Sequence, residues 1–230
     1  EQHIHDTDGP EEDQAMLAPL VMQAYNGALP MPDDYLDWWR NADFAPYFAY
    51  QGRVLRLLQS ELGPNLWLLK SPVHLFRLHE FAREYPEAKF IWTHRDPAKV
   101  IPSVSSLQHT LWAARCGPGF RSKAETGPHF LAFWAEGMRR ALAFRDEVGE
   151  ARFVDVWNDD VVADAVGTFA GMYDKLGYEF TREVQSRIES YNRRNARGAH
   201  GEHRYSAEEY GLTREGIREV FAGYIERFAL

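Results

Sequence analysis

Apolar positions recur at helical spacing early in the chain: Met16, Leu17, Leu20, Val21 and Ala24 share one face. They follow Asp8-Gly9-Pro10-Glu11-Glu12, whose order of cap, proline and acid suits a helix start. Further helices are predicted over residues 33–40 and 45–62. The period then changes. Leu66-Trp67-Leu68-Leu69 is a short apolar run closed by Gly63-Pro64-Asn65 and Lys70-Ser71-Pro72, and it reads as a buried strand. A helix over 73–84, a strand over 89–93 and helices over 97–115 and 128–148 follow. Next come a strand over 151–157, a helix over 161–176, and helices over 181–194 and 213–228 that flank a polar loop at 195–205.

Strands that alternate with helices imply parallel pairing through right-handed crossovers. The predicted fold class is therefore α/β, a parallel sheet of few strands flanked by many helices. A doubly wound sheet usually holds about five strands and binds its ligand beyond their carboxyl ends. With three strands in view, the first strand and its phosphate-binding turn are expected upstream of Glu1. No repeat, low-complexity tract or Gly/Ser linker divides the chain, so residues 1–230 are expected to form a single domain.

Composition narrows the partners. The 34 acidic residues outnumber the 26 basic ones, for a net charge of -8, which argues against general nucleic-acid binding but leaves room for a local basic pocket. A lone Cys116 cannot form an internal disulfide, and no Cys/His spacing suggests zinc, so no metal is expected. No run approaches the roughly 18 apolar residues of a membrane span, and the acidic start is the reverse of a signal peptide. The cytoplasm is the expected location. Because the chain opens on the polar Glu1-Gln2-His3-Ile4-His5-Asp6 without methionine, the gene product is expected to carry residues upstream.

The stretch 89–107, KFIWTHRDPAKVIPSVSSL, carries the most chemistry. A strand ends near Thr93, Arg95 lies just past it, and Asp96-Pro97 opens a helix with an N-cap and a first-turn proline. Amides at a helix start and a forked guanidinium both favour a phosphate dianion. Ser103, eight residues after Arg95, offers a hydroxyl to the same anion. Pro102 removes a helical hydrogen bond and is expected to bend the segment and tilt Ser103 toward the pocket.

Here the chain resembles the sulfotransferases that use the sulfuryl donor PAPS, whose 3'-phosphate motif has an Arg, an Asn or Asp, a Pro, and a Ser eight positions after the Arg. Arg95, Asp96, Pro97 and Ser103 match it. Lys70-Ser71-Pro72-Val73-His74-Leu75 resembles a strand end of the family's bacterial small-molecule branch, as do Pro10-Glu11-Glu12-Asp13, His203-Arg204-Tyr205-Ser206, Tyr210-Gly211-Leu212 and Tyr224-Ile225-Glu226-Arg227-Phe228. The resemblance implies a P-loop-kinase-like sulfotransferase fold that binds PAPS and its product PAP. The family's Gly-rich turn, G-x-P-R-S-G-T, which grips the 5'-phosphosulfate, is missing here. Gly117-Pro118-Gly119-Phe120-Arg121-Ser122-Lys123 echoes it, but follows a helix rather than a strand and also reads as a surface loop or lid.

Sulfuryl transfer needs a base for the acceptor's proton, and histidine requires the least tuning. By analogy with the family, His74 is the candidate base and Lys70 the stabiliser of the bridging oxygen or leaving phosphate. The plain alternatives are a helix-start histidine and a solvated strand-end charge. His3 and His5 rank second as bases, against a flexible terminus, and the role of His94 stays open. The basic loop 193–200 resembles a loop that closes over the nucleotide, which implies that Arg197 and Gly198 contact the 3'-phosphate; a solvated helix end fits equally. Trp38, Trp39, Tyr47, Phe48 and Trp112 are candidates to line an apolar pocket for a small-molecule acceptor, although most aromatics belong to cores. Two other readings are weighed: a non-catalytic binding module that has lost the donor loop, and a nucleotide kinase. The kinase lacks support, since no G-x-x-x-x-G-K-[ST] occurs.

Overall fold

The computed structural model describes residues 12–13, 31–63, 66–195 and 205–230. Helix α1 (Asp33–Asn41) follows Pro32 and carries Asp33 and Asp34 in its first turn and Arg40 in its last, a charge order that opposes the helix dipole. Helix α2 (Ala45–Leu62) has the predicted bounds and ends at Gly63, whose φ of 79° is open to glycine at little cost. Leu36 and Trp39 of α1 and Tyr47 and Phe48 of α2 join Phe44, Phe76, Phe81 and Phe133 in one buried aromatic cluster. Trp39, Tyr47 and Phe48 are thus core. Trp112 is buried as well, and among these pocket candidates only Trp38 is exposed.

The predicted strand at 66–69 is not formed. The segment is extended but unpaired, Leu66 and Leu68 are 72% and 81% exposed, and Trp67 and Leu69 are half-buried. An apolar run becomes a buried strand only where a neighbour supplies ladder hydrogen bonds, and no described segment pairs with this one. Next come a 3-10 turn, Pro72–Phe76, and α3 (Leu78–Glu84), where one helix was predicted. The break falls at Arg77, which is buried over the Phe44 ring at 3.9 Å and donates to the carbonyls of Trp39 and Ala42. Burial pushes its pKa down to about 10, against the attraction of Glu80.

Strand β1 (Phe90–His94), α4 (Pro97–Cys116), α5 (Lys123–Val148) and β2 (Phe153–Trp157) form the centre of the molecule. β1 and β2 pair in parallel, with Phe90 opposite Phe153 and His94 opposite Trp157. Among the described residues the sheet therefore has two strands rather than three. Helix α5 begins a turn earlier than predicted because Ser122 and Glu125 make a capping box, which leaves Pro128 inside the helix.

The remaining helices are α6 (Asn158–Ala163), α7 (Ala165–Leu176), α8 (Arg182–Arg194), α9 (Arg214–Val220) and α10 (Ala222–Phe228). Asp164, by accepting from the Gly167 amide at 2.9 Å, starts a new helix inside the predicted 161–176 segment. Phe221 divides α9 from α10 and packs with Ile101, Ala207, Leu212 and Ile217. Trp92 of β1 meets Phe144 of α5 and Tyr224 and Phe228 of α10, so the C-terminal helix closes directly on the strand that leads to Arg95. No helix among the described residues is long and apolar enough to cross a membrane.

Candidate active site

The strand-to-helix junction read from the sequence is formed between β1 and α4. Arg95 is exposed between the strand and the helix, and its guanidinium has no hydrogen bond or ion pair to another described residue. Asp96 caps α4 by accepting from the Ala98 amide at 2.9 Å, with Pro97 in the first turn. Its other oxygen lies 2.9 Å from Arg218 Nη1 and 3.5 Å from Arg214 Nη2, so α9 brings two more cations to the cap. Ser103 sits half-buried about two turns further along α4, which continues through Pro102 to Cys116.

A buried polar chain holds this junction from behind. Tyr224 of α10 turns its hydroxyl toward the end of β1. That hydroxyl lies 3.0 Å from His94 Nδ1, and His94 Nε2 lies 2.7 Å from Asp155 Oδ1. A carboxylate only accepts, so Nε2 carries the hydrogen and Nδ1 accepts from Tyr224. Arg145 then grips both oxygens of Asp155 at 2.7 Å and reaches Glu150 at 2.8 Å. Burial pushes the His94 pKa down despite the pull of Asp155, so the ring is neutral near pH 7. Burial opposes ionisation of Asp155, but hydrogen bonds from Arg145 and His94 prevail and hold its pKa below the ordinary value. Tyr224 is pushed up to about 12 by burial, against the Arg95 amide. His94, 1% exposed, is a strut and not a ligand.

A second cluster gathers around the end of the unpaired segment. The Lys70 ammonium pairs with Glu12, and the Asp13 amide donates to the Lys70 carbonyl at 3.1 Å. His74, in the 3-10 turn, places Nε2 3.0 Å from Asp13 Oδ2. Gln51 Nε2 donates to that same oxygen at 2.6 Å and lies 3.2 Å from the Tyr47 hydroxyl, while the Tyr85 hydroxyl donates to Gln51 Oε1 at 3.0 Å. Burial first, and then the charge of Asp13, raise the pKa of Tyr47; burial and the charges of Glu84 and Asp13 raise that of Tyr85. Both phenols stay protonated.

The match to known proteins covers most of this ground, for a sulfotransferase family model fits residues 1–182. The chain belongs to the sulfotransferase family. Among solved relatives, sulfotransferase STF9 from Mycobacterium avium superposes with a TM-score of 0.88 at 27% identity, over 99% of this chain and 58% of that one. Sulfotransferase STF1 from Mycobacterium tuberculosis gives 0.81 at 28% identity, over 96% of this chain and 57% of that one. The curated omega-hydroxy-beta-dihydromenaquinone-9 sulfotransferases Stf3 of Mycobacterium bovis and Mycobacterium tuberculosis are 25% identical over 178 residues. That match takes in 73% of this chain and 45% of theirs, so it spans less than half their length.

In this sulfotransferase-family chain the sequence reading missed Asp13, Gln51 and Tyr224. Asp13 and Tyr224 lie in segments whose resemblance to the family was evident, but their partners are distant in sequence. The 117–123 echo of a donor loop is a pair of helix ends. Gly117 closes α4 with φ 96°, Ser122 caps α5, and Arg121 lies 5.4 Å from the Trp112 ring centroid. His3, His5, Arg197 and Gly198 lie outside the described residues. No group of three or more His, Cys, Asp or Glu among the described residues is placed to hold a metal. An open groove of about 460 Å³ beside β2 is lined by Asp155, Asp160 and Asp164 against one Lys175, a balance that disfavours an anionic ligand.

Proposed function

We propose that this chain contributes the 3'-phosphate site and the acceptor-activating groups of a PAPS-dependent sulfotransferase that acts on a hydroxyl of a small molecule. The observation that carries the reading is Arg95: an exposed guanidinium without a protein partner among the described residues, at a capped strand-to-helix turn whose preceding residue, His94, is held by Tyr224 and Asp155. Family membership supplies the reaction class, and the Stf3 relatives carry a hydroxylated acceptor in their name.

PAPS supplies an activated sulfuryl group. The acceptor oxygen forms a bond to sulfur while the bond from sulfur to the phosphate oxygen breaks, and PAP leaves with that electron pair. Arg95, Ser103 and the α4 amides bind the 3'-phosphate and fix the donor's position, with further contacts assigned to Arg197 and Gly198. Lys70 faces the charge that develops on the leaving phosphate, and His74 takes the acceptor's proton. No metal takes part.

The test is mass spectrometry of PAPS incubated with the protein and a panel of phenols and long-chain alcohols. A sulfated product together with PAP is expected. Retention of PAPS against every acceptor, together with absence of PAP binding by calorimetry, would overturn the reading.

A further inference from the structure

We infer that Asp13 is a positioning residue for His74: it holds the imidazole as its Nε2–H tautomer and leaves Nδ1 to take the acceptor's proton. The inference rests on the reading of His74 as the base. Its starting point is what each atom can do. An ionised carboxylate only accepts, so in the 3.0 Å bond between His74 Nε2 and Asp13 Oδ2 the hydrogen belongs to the ring. A neutral imidazole has one such hydrogen, and the lone pair therefore sits on Nδ1. That nitrogen has no hydrogen bond to another described residue, and the His74 side chain retains 18% exposure.

Asp13 is itself immobilised. Its Oδ2 receives Gln51 Nε2 at 2.6 Å, its amide binds the Lys70 carbonyl at 3.1 Å, and the fully buried Gln51 is fixed in turn by Tyr85. The ring of His74 rests 5.0 Å from that of Phe81. Neither member can rotate away without breaking several contacts.

The carboxylate is also under-compensated in the resting protein. Asp13 is 5% exposed and its Oδ1 is buried without a hydrogen-bond partner, an expensive state for an anion. Among the described residues, the neutral Tyr47, Tyr85 and Gln51 lie close to it, and the Lys70 ammonium is paired with Glu12. When the proton leaves the acceptor oxygen for Nδ1, His74 becomes an imidazolium beside this buried negative charge. The charge that is poorly matched before proton transfer is matched during it, which favours the transition state over the ground state.

The experiment is run on the full-length protein. Nitrogen-15 NMR of the native imidazole is expected to show the Nε2–H tautomer at His74, and Asp13→Asn to show a mixture. Asp13→Asn is expected to lower kcat about 100-fold, within the roughly 10²–10⁴ that a positioned acid–base group contributes. PAP affinity and acceptor KM should change less than about twofold, and melting and PAP binding report that the variant is folded. In a His74→Ala background the same substitution should cost nothing further, because Asp13 acts only through the ring. An Nδ1–H tautomer in the native protein, or an equal loss in both backgrounds, overturns the inference. If His74→Ala alone keeps the native rate, the base assignment falls and the positioning role falls with it, whereas the tautomer still reports whether Asp13 orients the ring.

Discussion

The hydroxyl of Tyr224 lies 3.0 Å from His94 Nδ1, so the strand end beside the proposed phosphate ligand is tied to the last helix of the chain. Tyr224→Phe keeps the ring, which packs with Trp92 and Phe228, and removes only the hydroxyl. His94 Nδ1 loses its partner. PAP binding by calorimetry is expected to weaken by about 0.5–1.5 kcal/mol, the net scale of one hydrogen bond. Unchanged affinity would show that the turn holds its shape without α10.

Arg95 makes no ion pair with another described residue, so its removal leaves no buried charge stranded in the free protein. Arg95→Ala is accordingly expected to leave the melting temperature nearly unchanged while weakening PAP by about 1.5–3 kcal/mol. Arg95→Lys should recover only part of this, because an ammonium lacks the fork that meets two phosphate oxygens. Equal PAP affinity in all three proteins would remove Arg95 from the site.

Acid should destabilise the protein through His94. Burial lowers its folded pKa, while the unfolded chain takes up a proton near the ordinary value of about 6.5. As pH falls through that value the unfolded state binds more protons than the native one, so stability present above about 6.5 declines until the native ring also titrates. His129, lowered first by burial and then by Arg121, adds a term of the same sign. Urea unfolding between pH 7.5 and 5.5 should show this loss, with a shallower slope in His94→Gln. Rising stability over that range would contradict the buried neutral ring.

Two glycines in helices should respond oppositely to alanine. A Cβ on Gly127 would lie 2.0 Å from the Tyr210 carbonyl oxygen, and backbone cannot yield cheaply. Gly127→Ala is expected to cost about 3 kcal/mol or more. Gly171, inside α7, meets nothing within 4 Å, so Gly171→Ala is expected to stabilise by about 0.5–1 kcal/mol through helix propensity. Chemical denaturation of both variants checks the contrast.

The sequence was most informative where the physics is local. The bounds of α2, the cap at Asp96 with Pro97, and the exposed Arg95 beyond a strand all follow from residues within a turn or two of one another. Local patterns failed where a distant group intervened. Arg77 breaks a predicted helix because its guanidinium serves the carbonyls of Trp39 and Ala42, and Phe221 splits another to reach Ile101 and Ile217. The run at 66–69 has a strand's composition, but pairing is a property of two segments, and no described segment pairs with it.

The site divides along the same line. Residue type and spacing alone determined that Arg95 follows a strand and precedes a capped helix, and that a Lys70/His74 pair follows an apolar run. Only the tertiary structure decided that His74 meets Asp13, that His94 is a strut between Tyr224 and Asp155, and that Trp39, Tyr47 and Phe48 are core rather than pocket. Hydrogen bonds and burial depend on which distant residues share a neighbourhood, and that neighbourhood exists only once the chain has folded.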